Sequence, residues 1–110
     1  MPRKVVRAAT KHRRAKKAGI AALGGYYAQL EAQLGACAIC GRRPKEGGRR
    51  LNIEHDHLTM RCRGLTCHFC NRMLAWARDD PNTLMTGNVY LKHGWEAACV
   101  YRDAIKSIRG

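Results

Sequence analysis

Apolar residues along this chain keep a helical spacing at both ends and fall into short extended runs in the middle. Residues 2–34 read as helix: Met1-Pro2 opens it, Arg3 to Lys17 is rich in cations, and Gly19 and the Gly24-Gly25 pair interrupt it. Tyr26, Tyr27, Leu30 and Leu34 then resume the spacing before Gly35. After a Gly-, Pro- and Arg-bearing loop from Arg42 to Arg50, strands are expected at Leu51 to Ile53 and Met60 to Leu65, joined around Glu54-His55-Asp56-His57. Helical signals return over Cys67 to Arg78, which carries Met73, Leu74 and Trp76, and Asp80-Pro81-Asn82 starts another helix through Leu84, Val89 and Leu91 to His93. Gly94 is its expected stop, and Trp95, Ala98, Cys99, Ile105 and Ile108 line a last amphipathic helix. The pattern predicts an α+β chain divided into a basic N-terminal helical arm at 1–35, a core at 36–93 and a C-terminal helix at 94–110.

A chain of 110 residues supports one core. Its apolar fraction of 45% is swollen by alanine and cysteine, so few large side chains remain to fill an interior. No run approaches the ~18 apolar residues of a membrane span, and Val5 to Leu23 is interrupted by Lys and Arg, so neither a span nor a secretory leader is expected. The expected protein is soluble and intracellular. Its 21 Lys and Arg against 8 Asp and Glu give a net charge of +13, which points to a polyanionic partner, nucleic acid before an anionic membrane. The cations are spread along the chain. The first 18 residues read equally as a solvated arm or as one that orders on phosphates.

Six cysteines in so small a chain call for a purpose. A disulfide framework needs an oxidising compartment that nothing here suggests. Cys37-x2-Cys40 and Cys67-x2-Cys70, separated by 26 residues, instead form two knuckles that can close a tetrahedron around Zn²⁺ with no open position, which makes the metal structural. A redox role for the Cys-x2-Cys pairs lacks its βαβ setting. Cys62 and Cys99 have no partner at knuckle spacing and read as small buried residues.

Glu54-His55-Asp56-His57 places four ionisable groups between Ile53 and Leu58. Such a run serves either as a solvated hairpin end or as a hard-cation ligand beside a general base, with Glu54 and His55 in those roles. A regular strand would point these neighbours to opposite faces, so the second reading demands a bulge or strand end, with His55 and His57 on one side. Asn71, directly after Cys70, is either a helix cap or a second oxygen ligand beside Glu54.

CAIC, LNIEHDH, RGLTCHFCN, DDPNTL and VYL, in this order over about residues 36–92, resemble the phage recombination endonuclease VII family of HNH (His-Me finger, ββα-metal) nucleases. The resemblance implies a zinc-stabilised ββα core with flanking helices. It implies structural zinc on Cys37, Cys40, Cys67 and Cys70, and a catalytic Mg²⁺ or Mn²⁺ on Glu54 and Asn71. The general base falls on His55 and a further active-site histidine on His57. It also implies branched or forked DNA as substrate, as in Holliday junction resolution, a homodimer, and the cytoplasm of a phage's host as the place of action. Glu54 stands where the family commonly has Asp, Met60-Arg61 replaces a Thr-Gly-type turn, and Ala75 stands where Gly is usual.

Arg61, Arg63 and the loop cations Arg42, Arg43, Lys45, Arg49 and Arg50 are the candidates to grip phosphates. Aromatic residues make up 6% of the chain, too few to favour base stacking as the main mode of binding. Alternatives to a junction nuclease are a nicking endonuclease without junction preference, a non-catalytic zinc module that binds nucleic acid, and a viral assembly protein. Tyr26, Leu30 and Leu34, or the helix from Trp95 to Ile108, are the candidate dimer faces.

Overall fold

The computed structural model describes the backbone of residues 3–109 and the side chains of residues 13–108. Met1-Pro2, expected to open the first helix, and the arm's first cations from Arg3 to Lys11 lie outside the described residues or side chains. The elements run α1 (Arg3–Ala22), α2 (Tyr26–Ala32), β1 (Asn52–His55), β2 (Cys62–Thr66), α3 (His68–Trp76), α4 (Pro81–His93) and α5 (Trp95–Arg109). They form two compact units, Met1–Arg72 and Met73–Gly110. No helix among the described residues is long and apolar enough to cross a membrane.

In the first unit α1 runs through Gly19 without a break, contrary to the expectation from sequence. A Cβ at Gly19 would stand 3.2 Å from the Cβ of Cys62, so the glycine's role is to let the helix lie close on β2. The break comes at Gly24 and Gly25, whose φ of 92° and 98° are open to glycine at little cost. The N–H of Gly25 closes back on the Ile20 carbonyl at 3.0 Å. Beyond the turn, Tyr26 donates its hydroxyl to the Leu51 carbonyl at 2.7 Å, which ties α2 to the start of the hairpin.

β1 and β2 pair antiparallel with Asn52 opposite Thr66, Ile53 opposite Leu65 and Glu54 opposite Gly64. His55 then faces Cys62, so the register slips between Glu54 and His55 and Arg63 is the bulged residue. Gly64 has φ 149°, and a Cβ there would meet the side-chain oxygen of Gln33 at 3.1 Å. That oxygen accepts the Leu65 N–H at 2.9 Å while the Gln33 amide donates to the Leu65 carbonyl at 2.9 Å. One side chain thus imitates a third strand along the edge of β2.

The core gathers Ile20, Cys37, Leu51, Cys62, Leu65 and Cys70, with Tyr26, Leu30, Ile53 and Cys67 packed against it. Cys37 and Cys70 belong both to this core and to a group of four cysteines, with Cys67 packed against it, so the two share residues. Cys62 is buried as expected, its thiol directed to the Gly64 carbonyl. Tyr26 and Leu30, offered above as dimer contacts, pack against this core and are partly buried, whereas Leu34 is exposed.

In the second unit Asp80 caps α4, its carboxylate accepting the Asn82 N–H at 2.9 Å and the Thr83 hydroxyl at 3.3 Å, with Pro81 in the first turn. Gly94 ends α4 and α5 follows at once. Among the described residues of this unit only Ala77 and Ala98 are buried, while Leu91, Trp95, Val100 and Ile108 are exposed.

Candidate metal centre and active site

The thiol sulfurs of Cys37, Cys40, Cys67 and Cys70 lie within 4.8 Å of one another. Cys37 and Cys40 flank a tight turn closed by the Gly41 N–H on the Cys37 carbonyl, while Cys67 directly precedes α3 and Cys70 lies in its first turn. A tetrahedron with Zn–S bonds of about 2.3 Å has edges of about 3.8 Å. The Cys40 and Cys67 sulfurs already stand 3.8 Å apart, so the donor set and its spacing suit zinc. The Ile39 N–H points at the Cys37 sulfur and the Cys70 N–H at the Cys67 sulfur, each at 3.4 Å. Burial opposes ionisation of Cys37, but the backbone groups of Cys40, Cys67 and Ile39 outweigh it and bring the thiol down to about 6. Burial, with the thiols of Cys67, Cys40 and Cys37, pushes Cys70 up. Four thiolates this close repel one another, and a divalent cation removes that conflict.

The bulge in the hairpin turns both Glu54 and His55 inward, so two sequence neighbours are buried together. The Glu54 carboxylate is held by both ends of the Arg63 fork: Nε donates to Oε2 at 2.9 Å and Nη2 to Oε1. Nη2 also reaches the His55 carbonyl at 3.3 Å, and Nη1 lies 3.8 Å from Asp56. The His55 and His57 rings share one side, with centroids 4.9 Å apart. Asp56 has another task, because its Oδ1 accepts the N–H groups of Leu58 and Thr59 at 2.8 and 3.0 Å and so shapes the hairpin loop. The N–H of Thr59, then that of Leu58, hold its carboxyl below the ordinary value.

Asn71 is not a helix cap. Its N–H bonds the Cys67 carbonyl at 2.9 Å, one turn into α3, and its side chain is half-buried. Arg42, Arg43, Lys45, Arg49, Arg50 and Arg61 are exposed. Three residues expected on phosphates have protein partners: Arg63 faces Glu54, the Arg50 guanidinium sits 4.5 Å over the Tyr26 ring, and Arg43 donates to the Leu34 carbonyl at 3.1 Å. Sequence reasoning missed Gln33, the Arg63–Glu54 pairing and the exposed Phe69; only the Arg-Gly step opposite an acid hinted at the pairing.

The fold and site together define a small, strongly cationic α+β protein anchored by a four-cysteine cluster, with a polar hairpin beside it. Residues 11–93 match the recombination endonuclease VII family, and the chain belongs to that family. It is 43% identical over 68 residues to the Gene 59 protein of Mycobacterium phage D29, covering 61% of this chain and 41% of that protein. It is also 46% identical over 55 residues to the Gene 59 protein of Mycobacterium phage L5, covering 49% and 33% respectively. The matched segments thus span less than half the length of these relatives. No solved structure matches the chain.

Proposed function

We propose that this chain is a metal-dependent DNA endonuclease of HNH (His-Me finger) type. It hydrolyses phosphodiester bonds in branched or forked DNA on a ββα unit made of β1, β2 and α3. The observation that carries the reading is the bulge, which buries a carboxylate and an imidazole from adjacent residues side by side. A hairpin built only for stability gains nothing from that burial.

His55 takes the proton of the attacking water, and His57, 4.9 Å away, keeps that side of the hairpin polar. The Glu54 carboxylate offers about four lone-pair sites, of which Arg63 takes two, so it can accept a cation alongside the guanidinium. With the hard oxygen of Asn71, it would hold Mg²⁺ or Mn²⁺. That ion would supply Lewis-acid stabilisation of the charge developing on phosphate and leaving oxygen. Zinc on the four cysteines would join the Cys37–Cys40 turn to the start of α3 as a structural ion. Arg42, Arg43, Lys45, Arg49 and Arg61 hold flanking phosphates, and a second copy of the chain presents the opposing site. Supercoiled plasmid with and without Mg²⁺ is the test, followed by matched four-way junction and duplex substrates alongside mass in solution. Equal cutting of both substrates by a monomer removes the junction reading and leaves a nicking enzyme.

A non-catalytic zinc module that binds nucleic acid is favoured by one feature, the hold of Arg63 on both oxygens of Glu54. Plasmid left intact at all Mg²⁺ and Mn²⁺ concentrations selects it.

A further inference from the structure

Phe69 is the first aromatic residue of α3 after His68, and it is 71% exposed although its neighbours Cys67 and Cys70 are held in the cluster. An isolated exposed phenylalanine is ordinary. This one lines a groove of about 450 Å³, within the size range of ligand clefts, about 300–1,000 Å³. Buried Leu51 lies at its floor, and exposed Pro44, Arg42, Arg43, Lys45 and Arg49 line it toward solvent. No acid lines it. Across Arg49 and Leu51 a second groove of about 240 Å³ continues the track, lined also by Lys16 and Arg50. His68, at the Phe69 end, is 3.4 Å from the Arg72 guanidinium.

An apolar floor with an aromatic ring and a rim of one sign of charge suits one kind of occupant: a chain of phosphates bearing flat apolar rings. A duplex offers the phosphates and hides the rings. A protein segment of ordinary composition offers neither the regular charge nor the stacking face. We propose that this track binds an unpaired DNA strand, with the cations on successive phosphates and one base stacked on Phe69. The scarcity of aromatic residues argues against stacking platforms spread over the surface, not against a single ring set in a cationic groove. The proposal deepens the reading of the chain as acting on DNA and is independent of the catalytic roles given to Glu54, His55 and Asn71. It supplies a physical basis for a preference for forks, since a fork exposes single strand beside duplex.

The test compares the zinc-loaded wild type with Phe69→Leu and Phe69→Trp by fluorescence anisotropy, on a labelled oligothymidine and a matched duplex, without added Mg²⁺. Zinc content and solution mass are measured on each protein. Phe69→Leu keeps the apolar volume and loses the stacking face, so single-strand affinity should fall about fivefold to a hundredfold. Duplex affinity should change less than about twofold, and Phe69→Trp should bind single strand at least as well as wild type. Arg42→Glu with Lys45→Glu should weaken single-strand binding and flatten its salt dependence. Unchanged single-strand affinity in Phe69→Leu overturns the proposal, as does an equal loss on both substrates. A change in solution mass with no loss of binding assigns the groove to a second copy instead. A protein that binds single strand through Phe69 and never cuts DNA leaves this inference standing and removes the nuclease reading.

Discussion

Replacing Arg63 by methionine removes a cation that grips the buried carboxylate of Glu54. The Glu54 side chain is 5% exposed and that of Arg63 38%, so one partner is committed to the interior and the other is partly in water. Breaking a buried pair costs about 3–5 kcal/mol, chiefly because the remaining charge is left without a partner. Solvent at the exposed side of Arg63 screens part of that, which brings the expected loss to about 2–3 kcal/mol. For a domain of this size each kcal/mol lowers the melting temperature by about 4–8 °C, so Arg63→Met should melt roughly 10–20 °C below wild type. Replacing Glu54 by leucine in the same chain removes the stranded charge and should restore most of the loss, because an apolar pair of similar volume replaces a buried ion pair at little cost. The assay is thermal unfolding of zinc-loaded wild type, both single variants and the double variant, with zinc content measured to exclude metal loss as the cause. Additive effects, or an Arg63→Met melt within about 2 °C of wild type, would refute the assignment of Arg63 as the partner of Glu54 in solution.

His55→Ala should lower cleavage by about 10²- to 10⁴-fold while DNA affinity and zinc content stay near wild type; full activity moves the base elsewhere, with His57 next. Strong chelation should abolish the cooperative melt of the first unit, since Cys37 and Cys70 belong both to the cluster and to the core, and a metal-free protein that still melts cooperatively contradicts this. Zinc affinity should fall steeply with acid: Cys37 lies at about 6 and Cys70 is pushed up, so binding releases protons and is opposed by them, and a competing chromophoric chelator titrated from about pH 5 to 8 reads it directly. Leu65→Ala should cost about 3–5 kcal/mol in urea unfolding, because Leu65 has no exposed surface and Gln33 holds its backbone from both sides, so the cavity cannot collapse. Gly64→Ala should destabilise by about 1–3 kcal/mol, because φ 149° is strained for any side chain, and a variant as stable as wild type removes that reasoning.

Signals carried by a few consecutive residues were legible without coordinates. The Gly24-Gly25 break, the Asp80-Pro81 start of α4, the Gly94 stop and the two Cys knuckles each act within one turn of chain, and each stands where the local chemistry requires. The need for an irregular strand at Glu54-His55 was also readable, because strand alternation cannot bury two neighbours. Choices that depend on what arrives from far along the chain were not. Gly19 looks like a helix breaker by itself and becomes a close-packing position only because β2 lies against it. Gln33 reads as a surface residue until Leu65, 32 residues on, offers it an unpaired strand edge. Arg63 reads as a phosphate contact until the bulge swings it onto Glu54, nine residues back. A cation answers to the nearest desolvated anion, and which anion that is depends on register and twist. Local sequence could therefore mark the turns, caps and knuckles of this protein, whereas its strands run Asn52–His55 and Cys62–Thr66 rather than over the expected Leu51–Ile53 and Met60–Leu65. Tertiary structure decided which of its many cations neutralise the protein itself and which remain for a partner.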